Sequence, residues 1–373
     1  MSTPHLQTFQ NAQTVAEVLV GRITETYSRE DARKAGIYYW PEPLPMPSQP
    51  LDPDPLILFR PGGEHEQLAG SRPGRVSLVR GSIAEFLAKH ERERLKPTMQ
   101  LPLGLVDKPE QQKQETLIVD LHGSAGALSG GPLLIAGAQH SGKSTALQSI
   151  LLWLTTYYGP NQLRCAIIDP HYELDVFREL PHLLDDEGHQ LWTDGSSDEK
   201  LEEFARNMHG LLAKRREAFP EQRWTENSLG QLWAQGHVIP QVLLIICHYH
   251  SFAERFNATI TLKKLALAMA EARTMGMYLV VSSAEVGYRF LSSELMGKFG
   301  TSIGLYLNEI QRLDLFGRPP ILPDPIPGRG LILAPDRSIH QVQLALPIAG
   351  PSESVRYEIL KHEIAKLATR YNA

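Results

Sequence analysis

The chain has 373 residues, room for two or three ordinary domains or one large α/β domain with arms. Hydrophobic residues make up 42% and charged residues 21%, which excludes a chain that stays disordered for want of a core. The formal charge of −5 argues against a general nucleic-acid coat, though it leaves a local basic patch open. The two cysteines, Cys165 and Cys247, each lie in an apolar run, which excludes a disulfide scaffold and suits a reducing compartment. No stretch reaches the ~18 apolar residues of a membrane span. The N-terminal residues lack the basic and apolar regions of a signal peptide, so a soluble cytosolic chain is expected.

Thr14 to Thr26 reads as a short helix, with Val15, Val18, Leu19 and Ile23 near one face. A proline-dense stretch from Trp40 to Pro55 blocks helix and suits an extended connector or belt. From about residue 100, strand-like runs alternate with helical patterns. Leu117–Leu121 and Pro132–Ala136 are strand-like, and a helix from Lys143 carries Leu147, Ile150, Leu151 and Leu154 on one side. Arg164–Asp169 is the next strand. A helix over Lys200–Glu217 places Leu201, Phe204, Ala205, Met208, Leu211 and Leu212 together. Gln241–Cys247 is continuously apolar, as a strand covered on both faces should be. A helix over Leu262–Arg273 precedes the run Met277–Val281. This order predicts an α/β fold: a mostly parallel sheet with helices on both faces. Arg318–Pro335 is rich in proline and glycine, and residues 352–371 read as an amphipathic helix. Trp153, Tyr157 and Tyr158 read either as core or as an apolar groove for a partner, with core favoured.

Gly137-Ala138-Gln139-His140-Ser141-Gly142-Lys143-Ser144 matches G-x-x-x-x-G-K-[ST] between an apolar strand and a helix. The glycines let the backbone curl so that N–H groups converge on phosphates, and the helix N-terminus adds partial positive charge. Lys143 is placed to reach the β- and γ-phosphates, Ser144 to coordinate Mg²⁺, and Thr145 to contact the α-phosphate. Gly137, Gln139, His140, Ser141, Gly142, Lys143, Ser144 and Thr145 are therefore the nucleotide-binding candidates, with ATP and Mg²⁺ the expected ligands.

A hydrolysing enzyme of this kind carries an acid at the tip of a second apolar strand. Here Val242–Ile246 runs into Cys247-His248-Tyr249-His250, with no carboxylate, and Glu254 comes several residues later. Either the site is degenerate and turns nucleotide over slowly or not at all, or His248 or another acid substitutes; the first reading is favoured, because imidazole suits Mg²⁺ poorly. Asp169 is a possible accessory acid, though a turn cap before Pro170 is its simpler role. His248 and His250 would share a strand face while Cys247 points away. With His171, His182 and His189 scattered on loops, no structural zinc is expected. Lys214-Arg215-Arg216 reads as a solvated helix end.

Taken in order, these segments resemble the FtsK/SpoIIIE ATPase family, and within it the tandem ATPase domains of type VII secretion motors of the EccC/EssC kind. The resemblance rests on Leu101–Asp107 with Gln111–Leu121, on Gly137–Thr145, and on Asp169 followed by Leu180-Pro181-His182. It continues through Ala272–Gly276 before Met277–Ser283, and Pro327–Leu331 with Gln341–Pro347. It implies a P-loop NTPase fold of RecA/FtsK type. Residues 1–100 would be an extension and linker, 101–350 the ATPase domain and 351–373 a C-terminal helix. Active members carry acids where this chain has Cys247 and His248, which implies a module acting in substrate binding or motor regulation. Its implied partners are other ATPase domains of the same motor and the C-terminal signal of WXG100-like substrates, with the module held at the inner face of the membrane by the rest of the motor. A trans-acting arginine would come from Arg273, Arg289, Arg318 or Arg329. A DNA-translocating ATPase of the same family is the alternative, weakened by the absence of a long basic run.

Overall fold

The computed structural model describes residues 57–59, 97–109, 113–123, 130–218, 224–225, 227–287, 289–317, 322–334 and 336–372. The expected helix at Thr14–Thr26, the proline-dense connector and Arg318 lie outside the described residues. The chain divides into two compact units, Met1–Pro43 with Lys108–Gln114, and Leu44–Asp107 with Glu115–Ala373. The second unit holds the parallel strands and their covering helices.

In chain order the strands are β1 (Ile57–Phe59), β2 (Gln100–Lys108), β3 (Lys113–Asp120), β4 (Leu133–Gly137), β5 (Leu163–Ile168) and β6 (Trp192–Thr193). They continue with β7 (Gln241–Ile246), β8 (Met277–Ser283), β9 (Thr301–Leu305), β10 (Arg329–Leu333), β11 (Ile339–Leu344) and β12 (Leu346–Ile348). The helices are α1 (Lys143–Tyr157), α2 (Asp198–Ala218), α3 (Ser228–Ala234), α4 (Phe256–Glu271), α5 (Ser293–Met296), α6 (Glu309–Phe316) and α7 (Glu353–Asn372). Ten strands form one sheet in the order β3-β2-β11-β10-β9-β4-β8-β7-β5-β6, and β1 pairs with β12 separately. From β9 to β6 every neighbouring pair is parallel. On the other side β10 runs antiparallel to β9, β11 to β10 and β2 to β11. The parallel half is what the alternating strand and helix patterns predict. The antiparallel half follows from the hairpin of β10 and β11.

Alternation along the central strands builds two cores. Leu133 and Ile135 of β4, Leu243 and Ile245 of β7, and Tyr278 and Val280 of β8 face α1, α3 and α7. Leu134, Ala136, Val242, Leu244, Ile246, Leu279 and Val281 face α2 and α4. Both sides of β7 are thus covered by helices, which is why its sequence carries no polar alternation. Each aliphatic side chain so enclosed contributes roughly 1.5–3 kcal/mol over exposure. Tyr158 is fully buried and Trp153 and Tyr157 pack against the same core. Leu360, Ile364 and Leu367 of α7 belong to it as well.

Two sequence expectations need correction, and one strand lies beyond them. Arg215 is not part of a solvated helix end: it is buried, and its guanidinium donates to the carbonyls of Met275 and Pro240. The chain there closes the N-terminal ends of β7 and β8, leaving carbonyls that only a long cation from α2 reaches. His248 and His250 do not share a strand face, because β7 ends at Ile246. His248 takes a left-handed conformation with φ 50° and His250 lies in a 3₁₀ turn over Tyr249–Phe252. Finally, β9 was not anticipated: Thr301-Ser302-Ile303-Gly304-Leu305 is short and half polar, yet all five residues are buried between β4 and β10.

Candidate functional site

The parallel strands bring their C-terminal ends to one edge of the sheet, where α/β proteins of this construction hold ligands. Gly137, Asp169, Cys247, Ser283 and Tyr306 end or follow β4, β5, β7, β8 and β9 there.

The loop from Gly137 to Gly142 is set by close backbone approaches. A Cβ on Gly137 would lie 2.2 Å from the Leu305 carbonyl oxygen, so β9 can pair this tightly only with glycine. Gly142 has φ 102° and a Cβ there would stand 3.0 Å from the Gly328 nitrogen; it turns the chain into α1. The loop is pinned on two sides. Ala138 N–H donates to the Tyr306 carbonyl at 3.3 Å, and Gly328 N–H donates to the Ser141 carbonyl at 2.8 Å. Behind Gly328, Arg329 is buried and donates to Gln343 Oε1 at 3.1 Å, while Gln343 Nε2 reaches the Pro327 carbonyl at 3.3 Å. The β10–β11 hairpin therefore braces the loop from outside.

Within the loop, Gln139 and His140 are exposed, and His140 takes φ 60°. Ser141 is buried, and its hydroxyl has no hydrogen-bond partner among the described residues. Lys143 is 5% exposed and its ammonium donates to the carbonyls of Gly137 and Ala138, both at 2.7 Å. Burial lowers its pKa while the nearby Glu173 carboxylate raises it, with a net fall. Ser144 and Thr145 occupy the first turn of α1 and are partly exposed.

The adjoining strand ends supply the rest of the pocket. Asp169 is fully buried, and its carboxylate accepts from Leu174 N–H at 2.8 Å and His171 N–H at 3.4 Å. Burial raises its pKa despite these bonds. Asp169 thus holds the turn through both carboxylate oxygens. What the turn presents is Glu173. Its carboxylate accepts from the Ser144 hydroxyl and lies 2.7 Å from His248 Nε2, while its backbone carbonyl accepts from Gln148 Nε2 at 3.2 Å. Burial pushes the Glu173 pKa up, but the bonds from His248 and Ser144 outweigh it and hold the carboxyl below its usual range.

His248 is fixed from three directions. Its N–H donates to Ser282 Oγ at 3.1 Å, its ring meets Glu173, and the His171 ring stands edge-on at 4.6 Å. His250 accepts from Ala284 N–H through Nδ1 at 3.1 Å, and burial, with repulsion from His248 and Lys143, lowers its pKa to about 4. Cys247 points away into the α1-side core; burial pushes its thiol well above the ordinary value, so it offers no ligand.

The structure therefore brings together Gly137 through Thr145, Asp169 and His248. Glu173 and Ser282 are the site residues sequence reading missed. Of the arginine candidates, Arg273 lies in the turn before β8, at the opposite edge of the sheet, beside Gly123. Arg289 lies 5.5 Å from the Phe290 ring, and Arg329 is engaged with Gln343 and Asp324. Among the described residues the three-ligand group that could hold a metal is Asp185, Glu187 and His189, which lies apart from this site in a turn after β5.

A glycine-shaped loop with a buried lysine, at the end of a parallel strand and opening a helix, defines a P-loop NTPase fold. Residues 90–226 match the model of the FtsK/SpoIIIE family. It is similar to the ESX secretion system protein EccC of Geobacillus thermodenitrificans, 26% identical over 272 residues that make up 72% of this chain and 17% of that protein. Among solved structures it is similar to ATPases 2 and 3 of EssC from the same organism, with a TM-score of 0.63 and 26% identity, covering 74% of this chain and 50% of the other. A Thermomonospora curvata EccC structure, ATPases 2 and 3 in complex with a signal sequence peptide, shares the fold with a TM-score of 0.57 at 22% identity, covering 74% of this chain and 48% of the other. The chain spans about a sixth of the length of the curated relatives it matches. No helix among the described residues is long and apolar enough to cross a membrane.

Proposed function

We propose that this chain is an ATP-binding module of a type VII secretion motor, one that holds Mg²⁺·ATP at Gly137–Thr145 and turns it over slowly or not at all. The observation that carries the reading is the buried Lys143 ammonium at the mouth of a glycine-shaped loop that opens α1. The residues fit a polyphosphate. Gly137 and Gly142 leave no Cβ in the curl of the loop, the Ser141 hydroxyl is buried without a partner among the described residues, and α1 directs its N-terminal amides outward. On binding, Lys143 exchanges two neutral carbonyl partners for phosphate oxygens, a stronger charge-assisted contact. The backbone amides of Gln139 to Ser144 orient the β-phosphate. Ser144 and Thr145 stand where the cation and the α-phosphate would sit. The cation, when bound, neutralises charge on the terminal phosphates.

Weak turnover is supported by the β7 tip, where a buried thiol and an imidazole stand in place of the usual carboxylates. The motor reading is supported by the likeness to type VII secretion ATPases. Other ATPase domains of the same assembly are then the natural neighbours. The signal peptide bound by one structural relative points to the C-terminal signals of WXG100-like substrates as ligands for this module. The cytoplasmic face of the membrane is the corresponding place of action. Phosphate release and nucleotide affinity, measured side by side in the parent and in Lys143→Ala, test the reading. Binding with little release, lost in the variant, is expected. Rapid release abolished by the substitution would overturn the degenerate part of the proposal, and tight binding of duplex DNA with a steep salt slope would favour a DNA translocase instead.

A further inference from the structure

We propose that Glu173, delivered by the turn after β5, is the carboxylate that meets the divalent cation of the bound nucleotide, and that His248 is its positioning residue. This rests on the nucleotide-binding reading above and names how that site handles its cation.

Three observations carry it. First, β7, the strand whose tip normally supplies the acid, supplies none: Cys247 is turned into the core and His248 is an imidazole. Second, a carboxylate nevertheless reaches the Ser144 hydroxyl, the group placed to hold the cation, and it comes from an adjacent strand end. A hard cation held by a serine hydroxyl and phosphate oxygens prefers a further oxygen ligand, and Glu173 offers a carboxylate oxygen in hydrogen-bond contact with Ser144. Third, Glu173 is built into position. Asp169 caps its turn through Leu174 and His171, Gln148 of α1 holds its carbonyl, and His248 grips one carboxylate oxygen at 2.7 Å while its own backbone is tied to Ser282. A glutamate that served only to fill a loop would need none of these supports. The imidazole at the β7 tip is then not a failed ligand. It orients a carboxylate that approaches from the side, as groups behind a metal ligand commonly do.

The charge of Glu173 gives the proposal a signature that a structural role would not. Without a cation, an anion beside Ser144 repels the phosphates; with one, it attracts the complex. Titration of a fluorescent ATP analogue, in EDTA and in Mg²⁺, separates these. In EDTA, Glu173→Gln is expected to bind the analogue more tightly than the parent; in Mg²⁺, more weakly, by roughly 10-fold. Electron paramagnetic resonance of Mn²⁺ with ATP should likewise show weaker cation retention in Glu173→Gln. His248→Leu should lose much of the Mg²⁺ enhancement, and His248→Gln, which keeps an N–H near the ε position, should restore part of it. Equal Mg²⁺ enhancement in the parent and Glu173→Gln would overturn the assignment while leaving nucleotide binding intact. Failure of the parent to bind the analogue under either condition would instead remove the nucleotide-site reading itself.

Discussion

Lowering the pH should weaken the fold through His182, and the size of the effect follows from where the ring sits. His182 lies in the 3₁₀ turn Pro181–Leu183 with no solvent exposure, its Nε2 donating to the Tyr158 carbonyl at 2.8 Å and its ring edge-on to Tyr371 at 5.0 Å. Burial, with the Arg164 charge nearby, lowers its pKa from 6.5 to about 4. The folded chain thus keeps this ring neutral where the unfolded chain protonates it. Its contribution is fully present above pH 6.5 and declines as the pH falls towards 4; below that both states carry the proton and the loss stops growing. At about 1.36 kcal/mol per pH unit, that interval amounts to on the order of 3 kcal/mol. His250, also lowered to about 4, adds a loss of the same sign, and raised carboxyls such as Asp169 oppose it at the acid end. The comparison that isolates His182 is urea unfolding from pH 7 to 4.5 in the parent and in His182→Gln, which keeps a donor for Tyr158. The variant is expected to be less stable at pH 7 and to show a slope shallower by up to one proton between pH 6 and 4.5. Parallel profiles would refute the reasoning.

Two substitutions test the backbone and the buried cation. Gly142→Ala forces a Cβ into a φ of 102° and against Gly328, a strain of about 1–2 kcal/mol. An affinity loss for ATP of roughly 5- to 30-fold by fluorescence titration is expected, and unchanged binding would contradict the tight-turn account. Arg215→Ala leaves the Met275 and Pro240 carbonyls without their donor and opens space beneath β7 and β8. It should cost about 2–4 kcal/mol in denaturant unfolding, whereas the exposed neighbour Arg216→Ala should change stability by less than about 0.5 kcal/mol.

The parts legible in the sequence are those written locally. The run Val242–Ile246 is apolar because both of its faces are covered, and the phosphate loop is short enough for its glycines, lysine and helix start to appear together. The Leu180-Pro181-His182 segment was visible as a motif, while the buried hydrogen bond that makes its histidine matter was not. Glu173 stayed hidden because it stands 29 residues from Ser144 and 75 from His248, and only the sheet order β4-β8-β7-β5 brings the three together. No spacing rule carries that information. Arg215 misled because a cation at a helix end usually meets water; here the end of α2 faces the turn before β8. β9 escapes a reading of apolar runs because Thr301, Ser302 and Gly304 are buried inside the sheet between β4 and β10, against the usual strand composition.

The central claim is that one loop and one ammonium group hold a nucleotide. Isothermal titration calorimetry of ATP with Mg²⁺ into the parent and into Lys143→Ala tests it most directly. A saturable one-to-one isotherm in the parent, weakened by roughly a hundredfold or more in the variant, is predicted. The absence of binding heat in the parent across a range of temperatures, or equal binding by both proteins, would contradict it.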